Sequence, residues 1–191
     1  MVLSKNMQKL VAGSSTIRKL FEEGIELAKE VGAENVYDFS LGNPAAPVPE
    51  EVKKSIYDIL ENRNANFVHC YMPNAGYPEV REKVAANLNK KYNSSFTKDD
   101  IIMTVGAAGG INCVLRCLLE AEDEVLCFAP FFGEYNSYVM NFGGNLKVVP
   151  ADYETFQLNV EEADKYITER TKAVIINNPN NPSGVVYNKK T

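Results

Sequence analysis

The stretch Asn177-Asn178-Pro179-Asn180-Asn181-Pro182-Ser183-Gly184 follows directly on the apolar run Ala173-Val174-Ile175-Ile176. The run predicts a buried strand of a parallel sheet. An Asn/Pro/Ser/Gly cluster at the carboxyl end of such a strand lies where open α/β sheets bind their ligands. Two prolines in the turn fix φ and stiffen it, and its Asn-Pro bonds are candidates for cis peptides. Asn181 would then be held by its backbone, with its amide free to donate to a ligand oxygen. The plainer alternative, an ordinary Asn/Pro turn, gives way because the rest of the chain agrees with a ligand site.

Upstream, strand and helix patterns alternate from Asp100 onward. Strands are predicted at Ile101–Val105, Glu124–Phe128, Leu146–Val149 and Lys172–Ile176, with helices at Gly109–Leu119, near Gly133–Asn141 and near Val160–Ile167. This rhythm belongs to βαβ units, so the expected fold class is α/β with a parallel-dominated sheet. Residues 1–36 read as an arm followed by a helix, capped by Ser15 or Thr16 and carrying Ile17, Leu20, Phe21, Ile25 and Leu27. Tyr37–Gly42 is a short extended piece broken at Gly42-Asn43-Pro44. Pro49 opens a further helix with Val52, Ile56, Ile59 and Leu60 on one face, and Pro78 opens another carrying Val80, Val84 and Leu88.

The 191 residues are 45% hydrophobic and 24% charged, ordinary globular values that allow one domain or slightly more. A net charge of −5 argues against a nucleic-acid backbone or an anionic membrane surface as partner. No apolar run is long enough to span a bilayer, and Met1-Val2-Leu3-Ser4-Lys5 lacks the pattern of a secretory leader. The four cysteines (Cys70, Cys113, Cys117 and Cys127) have no metal-knuckle spacing, and no metal is expected. Cys113 and Cys117, four apart on a predicted helix, suit small buried residues better than a bridge. A reduced, cytoplasmic protein is the expectation.

Thr104-Val105-Gly106-Ala107-Ala108-Gly109-Gly110 joins the first predicted strand to a helix. Small residues there let a ligand approach the backbone, and free N–H groups at a helix start suit a phosphate. The glycines fall as G-x-x-G-G, which fails the dinucleotide fingerprint; tight helix–strand packing with no ligand is the other alternative. Ala129-Pro130-Phe131-Phe132-Gly133-Glu134-Tyr135 follows the next strand. A ring fixed there can stack on a planar ligand or can simply be core. Tyr135 is a weaker candidate for the same pocket. His69, the single histidine, receives no role.

Taken in order, these segments resemble the fold type I, pyridoxal-phosphate-dependent aminotransferases of class I/II, the aspartate aminotransferase superfamily. Asn181-Pro182-Ser183-Gly184 is similar to the family's Asn-Pro-x-Gly turn, whose Asn bonds the phenolic oxygen of the cofactor. The resemblance implies that Ala107 and Ala108 lie on the phosphate cup, offering N–H groups where many relatives place a hydroxyl or a lysine. It implies that Phe132 stacks on the ring. Tyr71-Met72-Pro73-Asn74-Ala75-Gly76 with Arg81 resembles the family's Y-x-P-x-x-G-x-x-x-L-R segment, with Val80 in place of the Leu. That places Tyr71 on the phosphate of a neighbouring subunit's cofactor, hence a homodimer, and makes Arg81 structural. Leu41-Gly42-Asn43-Pro44 resembles the turn whose glycine, Gly42 here, meets the substrate carboxylate. Ser15-Thr16-Ile17-Arg18 resembles the arm segment that closes over substrate, with Ile17 as an apolar gate.

The implied organisation is an N-terminal arm and small-domain segment over residues 1–48, then the first part of a large cofactor-binding domain over 49–191. The implied activity is transfer of an amino group between an amino acid and a 2-oxo acid, with pyridoxal 5'-phosphate as cofactor. In the family the Schiff-base lysine, the Asp opposite the pyridinium nitrogen and the substrate-gripping Arg lie beyond the position matching Thr191. No catalytic residue is therefore expected in this chain, which reads as a fragment inactive by itself. Ser95-Phe96-Thr97-Lys98 fits an S-x-x-K pattern but precedes the cup, in a polar turn, so Lys98 is expected to be solvated. Two other readings stand beside this one: a non-catalytic ligand-binding or dimerisation module of the same fold, and a pyridoxal-phosphate-dependent lyase. A third and weaker one is a dehydrogenase-like nucleotide binder.

Overall fold

The computed structural model describes residues 2–12, 16–37, 39, 42 and 46–189. The chain divides into two compact units, Met1–Cys70 and Tyr71–Thr191. In the first, Lys5–Ala12 forms helix α1, Thr16–Val31 forms α2, Glu50–Asn62 forms α3 and Ala65–Val68 forms α4. The expected bare arm thus contains a helix. Ser4 starts it, its Oγ accepting from the Met7 N–H at 3.2 Å and its carbonyl from the Gln8 N–H at 2.9 Å. Pro49 sits at the N-cap of α3 as expected. The apolar face of α3 is nevertheless exposed at Val52, Ile56, Ile59 and Leu60. Ser15 and most of Leu41–Pro44 lie outside the described residues, and of the Ile17 side chain nothing is described.

The second unit opens with α5 (Pro78–Tyr92), where Pro78 takes the first helical turn because its missing N–H has no acceptor there anyway. A 3-10 turn at Lys98–Asp100 follows, closed by Thr97 and Asp100 bonding each other's backbone. Arg81 holds this turn against α5: its Nη1 donates to the carbonyls of Lys98 (2.7 Å) and Ile101 (3.4 Å). The structural role expected of Arg81 is the one observed. Then come α6 (Gly106–Leu118), β1 (Glu124–Phe128), α7 (Glu134–Met140), β2 (Asn145–Val149), α8 (Val160–Ala163) and β3 (Thr171–Ile175).

The three strands form a parallel sheet in the order β2-β1-β3. Central β1 is buried along its whole length, because both of its faces are covered. On one face Val125 packs with Leu115 and Leu119 of the α6 segment and Val139 of α7, joined by Ile111, Ala173 and Ile175. On the other, Leu126 and Phe128 pack with Val149 and Ala163, joined by Leu158 and Tyr166. Alternate residues of one strand serve the two layers, as the pleat requires.

Four expectations need correction. No strand forms at Ile101–Val105: among the described residues these have no strand partner, and a strand exists only through pairing. Instead the segment is tied to loops: the Met103 N–H donates to the Ala75 carbonyl at 3.0 Å and the Ile101 N–H to the Lys98 carbonyl at 3.3 Å. The run at Ala173–Ile176 is not buried throughout. β3 is an outer strand that turns Ala173 and Ile175 to the core while Val174 and Ile176 stay exposed. Cys113 and Cys117 are exposed, because α6 buries the Ile111–Leu115–Leu119 stripe and the two cysteines sit off it. Helix α8 stops at Ala163 rather than near Ile167; the Lys165 and Tyr166 N–H groups bond carbonyls three residues back, so the helical path tightens into turns.

Candidate active site

Three polar or aromatic features gather where the strands of the second unit end. The α6–β1 connection is short, so α6 runs back along the sheet and directs its N-terminus toward the end where β1 and β3 finish. Gly106 begins the helix at φ +68°, with open space where a Cβ would stand, so its backbone conformation is the reason for a glycine there. No side chain caps α6. Ala107 and Ala108, second and third in the helix, therefore present N–H groups with no acceptor inside it, at the positive end of its dipole. Both alanines are exposed, as the expectation of a backbone cup requires.

After β1 the chain passes through Ala129–Pro130, a cis peptide, to Phe131 and Phe132. Residue type alone left this pair open between core and stacking platform, the resemblance pointed to Phe132, and the two rings differ in exposure. Phe131 is half-buried and lines a small cleft with Cys127, Tyr135, Asn177, Asn180 and Tyr187. Phe132 is 37% exposed, with Tyr135 meeting it edge-on at a centroid distance of 5.7 Å and an angle of 82°. That contact supports the Phe132 ring, which keeps a third of its surface open to solvent. Tyr135 lines the small cleft together with Phe131.

After β3, both Asn178–Pro179 and Asn181–Pro182 are cis. Asn181 is exposed, as a ligand-facing amide must be. Its neighbour Asn180, which sequence reasoning passed over, is only 7% exposed. Asn180 Nδ2 donates to the Pro130 carbonyl (3.2 Å) and to Tyr187 Oη (2.8 Å), while Oδ1 accepts from the Ser183 N–H (3.2 Å) and Oγ–H (2.8 Å). The Tyr187 N–H donates to Asn178 Oδ1 at 3.0 Å. Asn180 followed three residues later by Ser183 is a local Asx-type pattern that could have been read from the sequence. Its reach to Pro130 could not.

Burial raises the titration of the Tyr187 phenol, partly opposed by the Asn180 amide. It raises that of Tyr135 as well, and pushes the Cys127 thiol up to about 12. All three are protonated at neutral pH, so the floor of the cleft is uncharged. The structure thus joins the Phe132 and Asn181 loops through Asn180 and sets the α6 terminus at the same end of the sheet. Tyr71 is fully exposed and is not drawn into this cluster. Gly42 is exposed in the other unit, open on the side a Cβ would occupy. Lys98 is exposed in its 3-10 turn, as expected of a solvated lysine. No described group of three or more His, Cys, Asp or Glu could hold a metal, and no described helix is long and apolar enough to cross a membrane.

This sequence of glycine-led helix start, aromatic loop and Asn-Pro turn is matched over residues 33–191 by the family described as Aminotransferase class I and II. The chain belongs to that family. It is 37% identical over 193 aligned positions to an aromatic-amino-acid aminotransferase from Thermococcus litoralis, covering 100% of this chain and 46% of that protein. It is 34% identical over 166 positions to a probable aspartate/prephenate aminotransferase from Aquifex aeolicus, covering 85% of this chain and 41% of the other. Among solved structures, an aminotransferase from Eubacterium rectale superposes with a TM-score of 0.94 at 40% identity, over 100% of this chain and 48% of its own. The chain therefore spans somewhat under half the length of these relatives. The expected α/β aminotransferase fold with its parallel sheet is the one present.

Proposed function

We propose that this chain forms the cofactor cradle of a pyridoxal-phosphate-dependent aminotransferase that moves an amino group between an amino acid and a 2-oxo acid. The observation that carries the proposal is the Asn180–Pro130 tie. The tie links the loop that bears exposed Phe132 to the turn that bears exposed Asn181, beyond the carboxyl ends of the paired strands β1 and β3, and this supports the reading of a shared cradle.

The residues present fit the cofactor. Ala107 and Ala108 would receive the phosphate on main-chain N–H groups, Phe132 would lie against the ring, and the Asn181 amide would donate to the phenolic oxygen. When bound, the cofactor supplies an electron-accepting ring that stabilises charge at the substrate carbon. The protein's share is to hold that ring flat, fix its phosphate and keep an uncharged floor beneath it. Gly42 is assigned to the substrate carboxylate, Ile17 to closure over the substrate, and Tyr71 to the phosphate of a partner's cofactor in a cytoplasmic homodimer. The lysine that bonds the cofactor aldehyde is assigned outside residues 1–191, a reading supported by two observations: among the described residues no lysine lines the cleft, and the chain spans less than half of its relatives.

The test is to mix the chain with pyridoxal phosphate, reduce with borohydride and map labelled lysines. Saturable binding with labelling scattered at low yield is expected. Stoichiometric labelling of one lysine would overturn the assignment of the catalytic lysine elsewhere, and absence of saturable binding would overturn the cradle.

A further inference from the structure

Asn180 is buried, and its side chain is fully engaged by other parts of the chain. Both of its amide protons and its carbonyl oxygen are taken by Pro130, Tyr187 and Ser183. Its main chain is engaged too: the Asn180 N–H donates to the Val185 carbonyl (2.9 Å), and the Gly184 N–H donates to the Asn180 carbonyl (2.7 Å). A buried amide with every position filled is an expensive group to misplace, since any shift strands a donor or acceptor away from water. One partner, Pro130, lies two residues from Phe132; Ser183 lies in the turn that carries Asn181, and Tyr187 follows that turn. β1 and β3 are paired up to Cys127 and Ile175, so beyond that point the two loops have left the sheet ladder. Asn180 bridges them there.

We propose that Asn180 is a positioning residue. Its buried amide locks the loop bearing Phe132 to the turn bearing Asn181, and so sets the spacing between ring-stacking and oxygen-donating groups. The proposal rests on the cradle reading above. Tyr187 is its brace, accepting one amide proton while its own N–H holds Asn178.

The test uses the chain with pyridoxamine 5'-phosphate, which lacks the aldehyde and so reports the cradle without reaction at surface lysines. Hydrogen exchange is followed in the unliganded chain over residues 129–132 and 178–187, and affinity is read from ligand fluorescence. Asn180→Ala is expected to speed exchange in both loops and weaken binding about tenfold, the scale of one or two lost hydrogen bonds. Asn181→Ala is expected to weaken binding without speeding exchange at 129–132. Ala85→Gly, destabilising within α5, which carries none of these groups, is expected to leave affinity unchanged, which separates positioning from general loss of stability. If Asn180→Ala does not fold, Asn180→Asp keeps the size and the acceptor for Ser183 while losing both donors, and should show the same pattern.

Unchanged exchange at 129–132 would overturn the lock. Looser loops with undiminished affinity would overturn the positioning role while the cradle stands. A wild-type chain that fails to bind the probe, while Asn180→Ala still loosens both loops, would overturn the cradle and leave Asn180 a structural brace only.

Discussion

Single residues in this chain owe their chemistry to what surrounds them. Glu124 heads β1 and is only 9% exposed; its Oε2 accepts from the Thr168 hydroxyl at 2.7 Å and its Oε1 faces Lys147 Nζ at 3.2 Å. Those donors, the Thr168 hydroxyl first, hold its carboxyl below the usual 4.5. A depressed carboxylate adds stability above its unfolded value, and that stability fades as pH falls through the folded value. Acid unfolding of wild type should therefore begin below about pH 4.5, and Glu124→Gln should lower stability at pH 7 and flatten that acid limb, followed by circular dichroism. Cys127, buried and pushed up to about 12, stays a thiol at neutral pH, whereas Cys70, Cys113 and Cys117 are exposed. A disulfide reagent should modify three thiols in the native chain and the fourth only on unfolding. At the site, Phe132→Ala should weaken pyridoxamine phosphate binding roughly two- to tenfold, the range for one stacked ring.

At the scale of elements, α6 does two jobs that pull on different residues. Its Ile111–Leu115–Leu119 stripe joins it to β1 and β3, and its first turn offers bare N–H groups. Leu115, 2% exposed, should cost about 2–5 kcal/mol when cut to alanine, read from urea midpoints. Gly106→Ala meets no atom, so its cost of about 1–2 kcal/mol is that of holding φ positive with a Cβ. Relaxation of that strain should also shift the Ala107 and Ala108 donors, so phosphate-ester affinity should fall along with stability. The helix was legible from its apolar stripe, but its start was expected at Gly109 and lies at Gly106, because the small residues of G-A-A-G-G read as a loop rather than as a first helical turn. The adjacent strand at Ile101–Val105 was misread because its apolar pattern cannot say whether a partner strand lies alongside.

At the scale of the molecule, apolar surface remains open. In the second unit Ile102, Val105, Val114, Val174 and Ile176 are exposed, and in the first the α3 face is. Contiguous apolar faces seek partners, and the outer edge of a parallel sheet adds unpaired main-chain groups. The isolated chain should self-associate at micromolar concentration, with light scattering rising with ionic strength, since salt screens the repulsion of a −5 chain. A monodisperse monomer that unfolds cooperatively would contradict this.

Local sequence by itself determined the alternation of helix and strand along the second unit, the helix starts at Pro49 and Pro78, and the Asn/Pro turn at Asn177–Gly184. Each rests on rules that act within a few residues: φ restriction, capping and hydrophobic period. Tertiary structure alone decided that β3 buries one side only, and that Asn180 reaches Pro130 fifty residues earlier in the chain. Those outcomes depend on which surfaces meet, and a contact between distant segments leaves no period or spacing to read.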